Sequence, residues 1–92
     1  MSSEIQSKVE QTIRTFLVSK GLSVGMLDAS TNLIADLGLE SDEGIFLALE
    51  FEDVLGIQIP SSFNPIINEL KNRGSTIGEL VSTLQTYVHK GS

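Results

Sequence analysis

The sequence contains no cysteine and a single histidine, His89. The absence of cysteine excludes disulfide scaffolds, thiol catalysis and zinc sites built on cysteine. Only six basic residues stand against twelve acidic ones, which gives a net charge of −6. Nucleic acid and anionic membrane surfaces both attract basic faces. We therefore expect neither as a partner.

Long apolar runs are also missing, because no stretch approaches the roughly 20 residues that a membrane-spanning helix needs. The first residues lack the basic-then-apolar order of a signal peptide, so we predict a cytoplasmic protein without membrane insertion. The eight glycines form no G-x-G-x-x-G and no P-loop. Hydrophobic residues make up 40% of the chain, which is too much for a disordered acidic tail. Residues 1–92 should fold as a single domain.

Helical periodicity begins near the N-terminus. Apolar residues at spacings of three and four predict a first helix over about residues 4–20, with Ser3 and Gln6 in capping-box spacing. Residues 21–40 show no sustained period and predict a long connection across the bundle. The apolar side chains expected to tuck inward from it are Leu22, Val24, Met26, Leu27, Leu33, Ile34 and Leu37.

Three further helices are predicted after this connection. Ser41 should start the second, because its hydroxyl can cap a free N–H and the acidic residues that follow favour the positive end of the dipole. Asn64 resembles the N-cap of a short third helix that ends near residue 74, and Thr76 with Glu79 predicts the start of the fourth. The predicted fold is an all-α four-helix bundle, with three longer helices, one short helix and a long loop between helices 1 and 2.

The second predicted helix carries apolar residues on two faces. Leu47 and Phe51 lie on the face that we assign to the core. Ile45, Phe46 and Leu49 fall largely on the other side, among acidic residues. An amphipathic helix should not place apolar residues there without a use. An alternative for Phe46 is packing against the long loop or the third helix.

Catalytic and metal-binding patterns are nearly absent. A triad of Ser41, His89 and an aspartate is compositionally possible, but we favour an exposed histidine near the end of the last helix. Glu40, Asp42 and Glu43 could hold a hard cation only loosely, because they lack the ligand spacing of a calcium loop. We predict that the protein is not an enzyme and that it has no metal site.

The residues on both sides of the second helix match a known pattern. Residues 36–41 read Asp-Leu-Gly-Leu-Glu-Ser, and residues 55–60 read Leu-Gly-Ile-Gln-Ile-Pro. These segments resemble the acyl carrier protein family, which has Asp-Leu-Gly-x-Asp-Ser-Leu before this helix and a Phe-or-Leu/Gly/Ile/x-Ile-Pro ending. The spacing from Ser41 to Pro60 fits without a gap, and residues 76–80 resemble the start of the family's last helix. The resemblance covers almost the whole chain.

The chain departs from the family pattern at three positions. Glu40 stands where the family usually has aspartate and keeps the charge. Asp42 stands where the family usually has a leucine that helps to present the serine to partners. Phe46 replaces what is commonly a glutamate on the partner-facing side. The resemblance therefore carries over more firmly to Ser41 than to the recognition surface.

The resemblance implies a covalent 4′-phosphopantetheine on Ser41, delivered from coenzyme A by a separate magnesium-dependent phosphopantetheinyl transferase. The thiol at the end of this arm would carry acyl groups as thioesters for fatty acid, specialised lipid or polyketide biosynthesis. Two alternatives remain open. One is an aminoacyl or D-alanyl carrier, and the other is a non-carrier interaction bundle that has lost the modification.

The second helix is the expected docking site for acyl-transferring or synthase enzymes with basic docking patches, because acidic side chains steer such partners and apolar ones add contact. The predicted docking residues are Asp42, Glu43, Ile45, Phe46, Leu49, Glu50, Glu52 and Asp53. The candidates for lining an acyl cleft between the helices are Leu47, Phe51, Ile66 and Leu84. We expect the protein to be a monomer.

Overall fold

The computed structural model describes residues 2–91, with side chains for residues 4–89. The chain is mostly helical, and α1 packs against both α2 and α3. The elements in chain order are α1 (Ser2–Ser19), a 3-10 helix (Ser41–Glu43), α2 (Gly44–Leu55), β1 (Ile67–Asn68), β2 (Arg73–Gly74) and α3 (Ile77–Gly91). The capping role predicted for Ser3 lies outside the described side chains.

The predicted short third helix does not form. The chain turns after Asn64 and then makes a β-hairpin, in which Ile67 faces Gly74 and Asn68 faces Arg73 in antiparallel register. The prediction of a four-helix bundle is therefore wrong in this segment. Over residues 2–91 the observed fold has three α-helices and a two-strand hairpin.

Two asparagines explain why the hairpin turns where a helix was expected. The Asn68 side-chain oxygen accepts a hydrogen bond from the Lys71 backbone N–H (3.2 Å). Asn72 has a φ of 53°, in the left-handed region that asparagine tolerates better than most residues. The apolar spacing of Ile66, Ile67 and Leu70 imitates a helix, yet Leu70 is 99% exposed at the turn.

A single apolar core joins the helices, the long loop and the entry to the hairpin. It contains apolar residues of all three α-helices, and it also takes in one leucine on each side of the Asp-Leu-Gly segment. Its buried members are Val9, Ile13, Leu17, Leu27, Leu33, Leu39, Leu47, Phe51, Ile66, Ile77, Leu80, Val81 and Leu84.

The long loop is fixed to the start of α3 by backbone hydrogen bonds. The Leu33 N–H donates to the Ser75 carbonyl (2.9 Å), and the Ile77 N–H donates to the Thr31 carbonyl (2.9 Å). The predicted inward packing is confirmed for part of the loop, since Leu33 is buried.

Three loop side chains that we expected inside are exposed instead. They are Leu22, Met26 and Ile34, and Met26 is 90% exposed. Leu27, next to Met26, is buried instead. The loop therefore contains more apolar side chains than it buries in the core.

The predicted capping box at the start of α3 is confirmed. The Thr76 N–H donates to Glu79 (3.0 Å), and the Glu79 N–H donates to the Thr76 hydroxyl (3.2 Å). Glu79 also pairs with Arg73 (2.7 Å) and Lys71 (3.0 Å) of the hairpin. The Thr76 N–H, followed by Arg73 and Lys71, holds the pKa of the Glu79 carboxyl well below its usual range. This one carboxylate ties the hairpin to the helix.

We predict that Glu79→Gln lowers the free energy of unfolding by about 1 kcal/mol at pH 7, because the ion pairs are lost and the cap is weakened. A carboxyl whose pKa is lowered by folding stabilises the protein above its unfolded pKa of about 4.3, and this contribution disappears as the pH falls. The wild type and the variant should therefore converge in stability below about pH 4.

Urea unfolding between pH 7 and pH 3 measures this difference. Glu69→Gln, which removes an exposed carboxylate from the same hairpin, is the control. A gap between the wild type and Glu79→Gln that stays constant across the pH range would contradict the prediction.

Candidate functional site

Ser41 is exposed at the first position of the 3-10 helix. Before it, the turn over residues 33–37 ends at Gly38, whose φ of 72° places it in the left-handed region that favours glycine. Leu39 then inserts into the core, and Glu40 is extended (φ −101°, ψ 150°). The chain therefore leaves the core directly before Ser41.

The Ser41 hydroxyl does not cap the helix, which corrects its predicted role. The N-cap position belongs to Glu40, whose N–H donates to Glu43 Oε1 (2.8 Å) and whose carbonyl accepts from the Glu43 N–H (3.0 Å). Within the described side chains, nothing hydrogen-bonds the Ser41 hydroxyl. The hydroxyl is therefore exposed and has no hydrogen-bond partner among the described side chains.

Glu43 holds the Ser41 turn on the α1 side. Its carboxylate accepts from the Glu40 N–H and also pairs with Lys20 Nζ, just beyond the end of α1. The Lys20 hydrogen bond, and after it the Glu40 N–H, lower the pKa of the Glu43 carboxyl. Glu43 was predicted as a docking residue, and in the structure its carboxylate makes internal contacts that anchor the turn.

Asn64 holds the same turn on the hairpin side. Its Nδ2 donates to the Ser41 carbonyl (2.8 Å), and its Oδ1 accepts from the Ile66 N–H (2.9 Å). The Ser41 carbonyl also accepts from the Gly44 N–H. Sequence reasoning identified Asn64 only as a helix cap and missed this contact, since nothing local indicates a partner 23 residues away.

The other predicted docking acids divide into two groups. Glu52 accepts the Ile59 N–H (2.7 Å) and so fastens the chain that follows α2. Asp42, Glu50 and Asp53 are exposed, and their carboxylates form no hydrogen bond or ion pair with any described residue.

The three apolar side chains singled out on the outer side of α2 are exposed. Ile45 is 69% exposed, Phe46 is 61% exposed and Leu49 is 58% exposed. Packing of Phe46 against the loop or a third helix, the alternative we considered, does not occur. The three residues form a surface that we call the α2 apolar patch.

An open groove of about 300 Å³ lies beside this patch, between α2 and the segment after it. Its lining residues are Ile45, Ala48, Leu49, Glu52, Ile59, Pro60, Ser61 and Phe63. Phe63 is backed by an edge-on contact with the Tyr87 ring, with centroids 5.7 Å apart. Sequence reasoning noted the Ile-x-Ile-Pro segment but did not foresee that it forms the groove wall.

The predicted acyl-cleft residues lie in the core. Leu47, Phe51, Ile66 and Leu84 are fully buried members of the apolar core. None of them lines the groove beside the α2 apolar patch. An interior cleft between the helices therefore stays a prediction.

His89 lies far from Ser41. It lines a groove of about 490 Å³ that also includes Ile5 and Leu55. Leu55 ends α2, while Ser41 precedes its start, so roughly 20 Å of helix separates the two ends. The Ser41 and His89 side chains are not brought together, which removes the geometry that a catalytic triad requires.

The described residues offer no group of three His, Cys, Asp or Glu side chains that could hold a metal ion. In the same part of the chain, no helix has the combination of length and apolar character that crossing a membrane requires. Comparison of the chain with protein-family models, curated proteins and solved structures found no match. The functional proposal therefore depends on the residues around Ser41.

The Asn64 side chain approaches the backbone so closely that position 44 requires glycine. A Cβ at residue 44 would lie 2.0 Å from Asn64 Oδ1 and 2.5 Å from its Cγ. Gly44 has helical dihedral angles (φ −59°, ψ −33°), so alanine would suit the backbone. The three atoms nearest to this Cβ position all belong to the Asn64 side chain.

We predict that the effect of Gly44→Ala changes sign with the residue at position 64. In the wild type it should destabilise by about 1 to 2 kcal/mol, because Asn64 must give up its two hydrogen bonds. In an Asn64→Ala background it should be neutral or stabilising by up to about 1 kcal/mol, since alanine favours a helix more than glycine.

Urea unfolding of the four proteins in this double-mutant cycle provides the measurement. Equal costs of Gly44→Ala in both backgrounds would show that Asn64 is not the obstacle.

Proposed function

We propose that the protein is a carrier in which Ser41 receives 4′-phosphopantetheine from coenzyme A. The observation that carries this proposal is the exposed Ser41 hydroxyl, which has no partner among the described side chains although its backbone is fixed on both sides. A residue modified by another enzyme needs this combination of access and defined geometry. The similarity of residues 36–60 to the carrier pattern supports it.

The chain's own part in the modification is to supply a nucleophile. The Ser41 oxygen forms a bond to the phosphorus next to pantetheine, and the bond from that phosphorus to the bridging oxygen breaks. Adenosine 3′,5′-bisphosphate leaves, and the hydroxyl proton passes to a base on the transferase. The bound arm supplies a terminal thiol for a thioester, a group that this cysteine-free chain lacks.

The surface around Ser41 suits a carrier that visits enzymes briefly. Asp42, Glu50 and Asp53 are unpaired within the described chain and can steer α2 toward basic patches. The α2 apolar patch then adds contact area once the proteins meet. We propose that acyl-transferring or synthase enzymes dock on this face of α2.

The groove beside α2 offers apolar contact to a cargo. Ile45 follows Ser41 by about one helical turn and lines the near end of the groove. An acyl chain of a fatty acid, specialised lipid or polyketide intermediate would find its closest open apolar surface here. We propose that this groove can bind the acyl chain, in addition to the interior cleft.

A second candidate function is a non-carrier interaction module. The exposure of Ile45, Phe46 and Leu49 favours it, because a contiguous apolar patch on a small protein marks a contact surface. Asp42, which replaces the leucine usual after the modified serine, points the same way. Modification of Ser41 distinguishes the two candidates.

We expect the protein to gain one phosphopantetheine when it is incubated with coenzyme A, Mg²⁺ and a promiscuous phosphopantetheinyl transferase. Intact-protein mass spectrometry detects the adduct, and peptide mapping should locate it at Ser41. Ser41→Ala should show no adduct. Absence of an adduct on folded wild type, in a reaction that modifies a reference carrier, would support the interaction module instead.

We predict that Glu50→Lys with Asp53→Lys slows modification or acyl transfer roughly tenfold at low salt, because steering toward a basic partner is reversed. The difference should shrink as salt screens the charges. Stopped-flow or quenched-flow rates at several salt concentrations measure it.

The matched control is Glu4→Lys with Glu69→Lys, which makes the same change in net charge at exposed positions outside α2. Both double variants should unfold like the wild type. Equal rates for the two would remove α2 from the docking surface.

A further inference from the structure

The two ends of the Asn64 side chain serve different parts of the structure. Oδ1 accepts the Ile66 N–H (2.9 Å) and forms the local turn into the hairpin. Nδ2 donates to the Ser41 carbonyl (2.8 Å), on the turn before α2. An acceptor alone would be enough for the local turn, so the donor end is an additional contact that reaches the candidate site.

This contact fixes the peptide that follows Ser41. The Ser41 carbonyl accepts from both the Gly44 N–H and Asn64 Nδ2, and a carbonyl oxygen has two lone pairs to offer. On the other side, the Glu43 carboxylate accepts a hydrogen bond from the Glu40 N–H. The backbone on both sides of the Ser41 Cα is therefore held, and the direction of the Cα–Cβ bond is set by these contacts.

Gly44 is matched to this arrangement. The asparagine occupies the space where a residue 44 side chain would stand, with Oδ1 only 2.0 Å from the ideal Cβ position. The donation to Ser41 therefore depends on a glycine three residues further along the chain. Gly44 and Asn64 act as one unit that locks the Ser41 turn to the start of the hairpin.

We infer that Asn64 is a positioning residue for the modification of Ser41, because its amide holds the backbone that aims the exposed hydroxyl toward the transferase. This inference rests on the proposed carrier function. Asn64 does not touch the reacting atoms, and it acts through the Ser41 carbonyl. A displacement of the nucleophile by about 1 Å is enough to lower the rate of a positioned reaction strongly.

Asn64→Asp separates the two ends of the side chain. The aspartate keeps an oxygen acceptor for the Ile66 N–H, but it replaces the donor with an oxygen that repels the Ser41 carbonyl. We expect kcat for phosphopantetheine transfer to fall about tenfold while KM for coenzyme A stays the same. In amide NMR spectra, residues 41–44 should shift while core residues such as Phe51 and Leu84 keep their positions.

Gly44→Ala is the second variant, and it covers the case in which Asn64→Asp fails to fold. It displaces the asparagine without adding charge, so a similar loss of kcat separates geometry from electrostatic repulsion. Asn72→Asp is the matched control, because it introduces the same charge in the hairpin turn at a position with φ of 53°. It should leave kcat and KM unchanged.

The outcomes distinguish this inference from the proposed function. Lack of modification of the folded wild type overturns both. Modification of the wild type, together with wild-type kcat in folded Asn64→Asp or Gly44→Ala, overturns only the positioning role. A fall in kcat that Asn72→Asp reproduces would assign the effect to added charge and would also overturn it.

Discussion

The pairing of the long loop with the segment that enters α3 is the constraint on which the remaining elements depend. Asn32 Nδ2 donates to the Gly74 carbonyl (2.9 Å), next to the backbone hydrogen bonds between residues 31–33 and 75–77. A Cβ at Gly74 would lie 2.6 Å from Asn32 Oδ1, so the strand lies directly against the loop. Residues 73–74 form a strand where they make this contact, and no helix continues through them.

This constraint explains which parts of the fold were predictable. The long helices follow from apolar periodicity, which is local information, and the capping box of Thr76 and Glu79 is local as well. Asn68 and Asn72 shape the hairpin turn locally, but the contact that fastens the hairpin to the loop joins Asn32 and Gly74, 42 residues apart. The spacing of Ile66, Ile67 and Leu70 does not indicate that contact, and the same spacing is compatible with a helix.

The candidate site shows the same division between local and distant information. The position of Ser41 at the start of a helix was predictable, and the exposure of the α2 apolar patch followed from the helical period. The anchoring roles of Glu43 and Glu52 depend on Lys20 and on the Ile59 N–H. An acid that holds the fold and an acid that meets a partner look alike in a sequence, and only their neighbours separate them.

The net charge of −6 therefore does not show how many of the predicted docking acids are unpaired. On α2 and the turn before it, two of the five predicted docking acids make internal contacts, and Asp42, Glu50 and Asp53 are the ones left unpaired among the described residues. Desolvated apolar contact falls off within a few ångströms, whereas charge steering acts over roughly a Debye length of 8 to 10 Å. In the proposed docking, the acids and the apolar patch would thus act at different stages of an encounter.

Asp42, the residue after Ser41, affects how the serine could be presented to a partner. An aspartate at position 42 cannot supply the apolar contact that the carrier pattern places beside the serine, because burying an unpaired carboxylate is costly. The nearest exposed apolar groups are Ile45 and Phe46, about one turn further along. A partner that docks on them would contact α2 about one turn from the serine, so apolar contact at position 42 would not set the direction of the Ser41 hydroxyl. In the proposed carrier that direction would come from within the chain, where Glu43 holds the turn on one side and Asn64 holds it on the other.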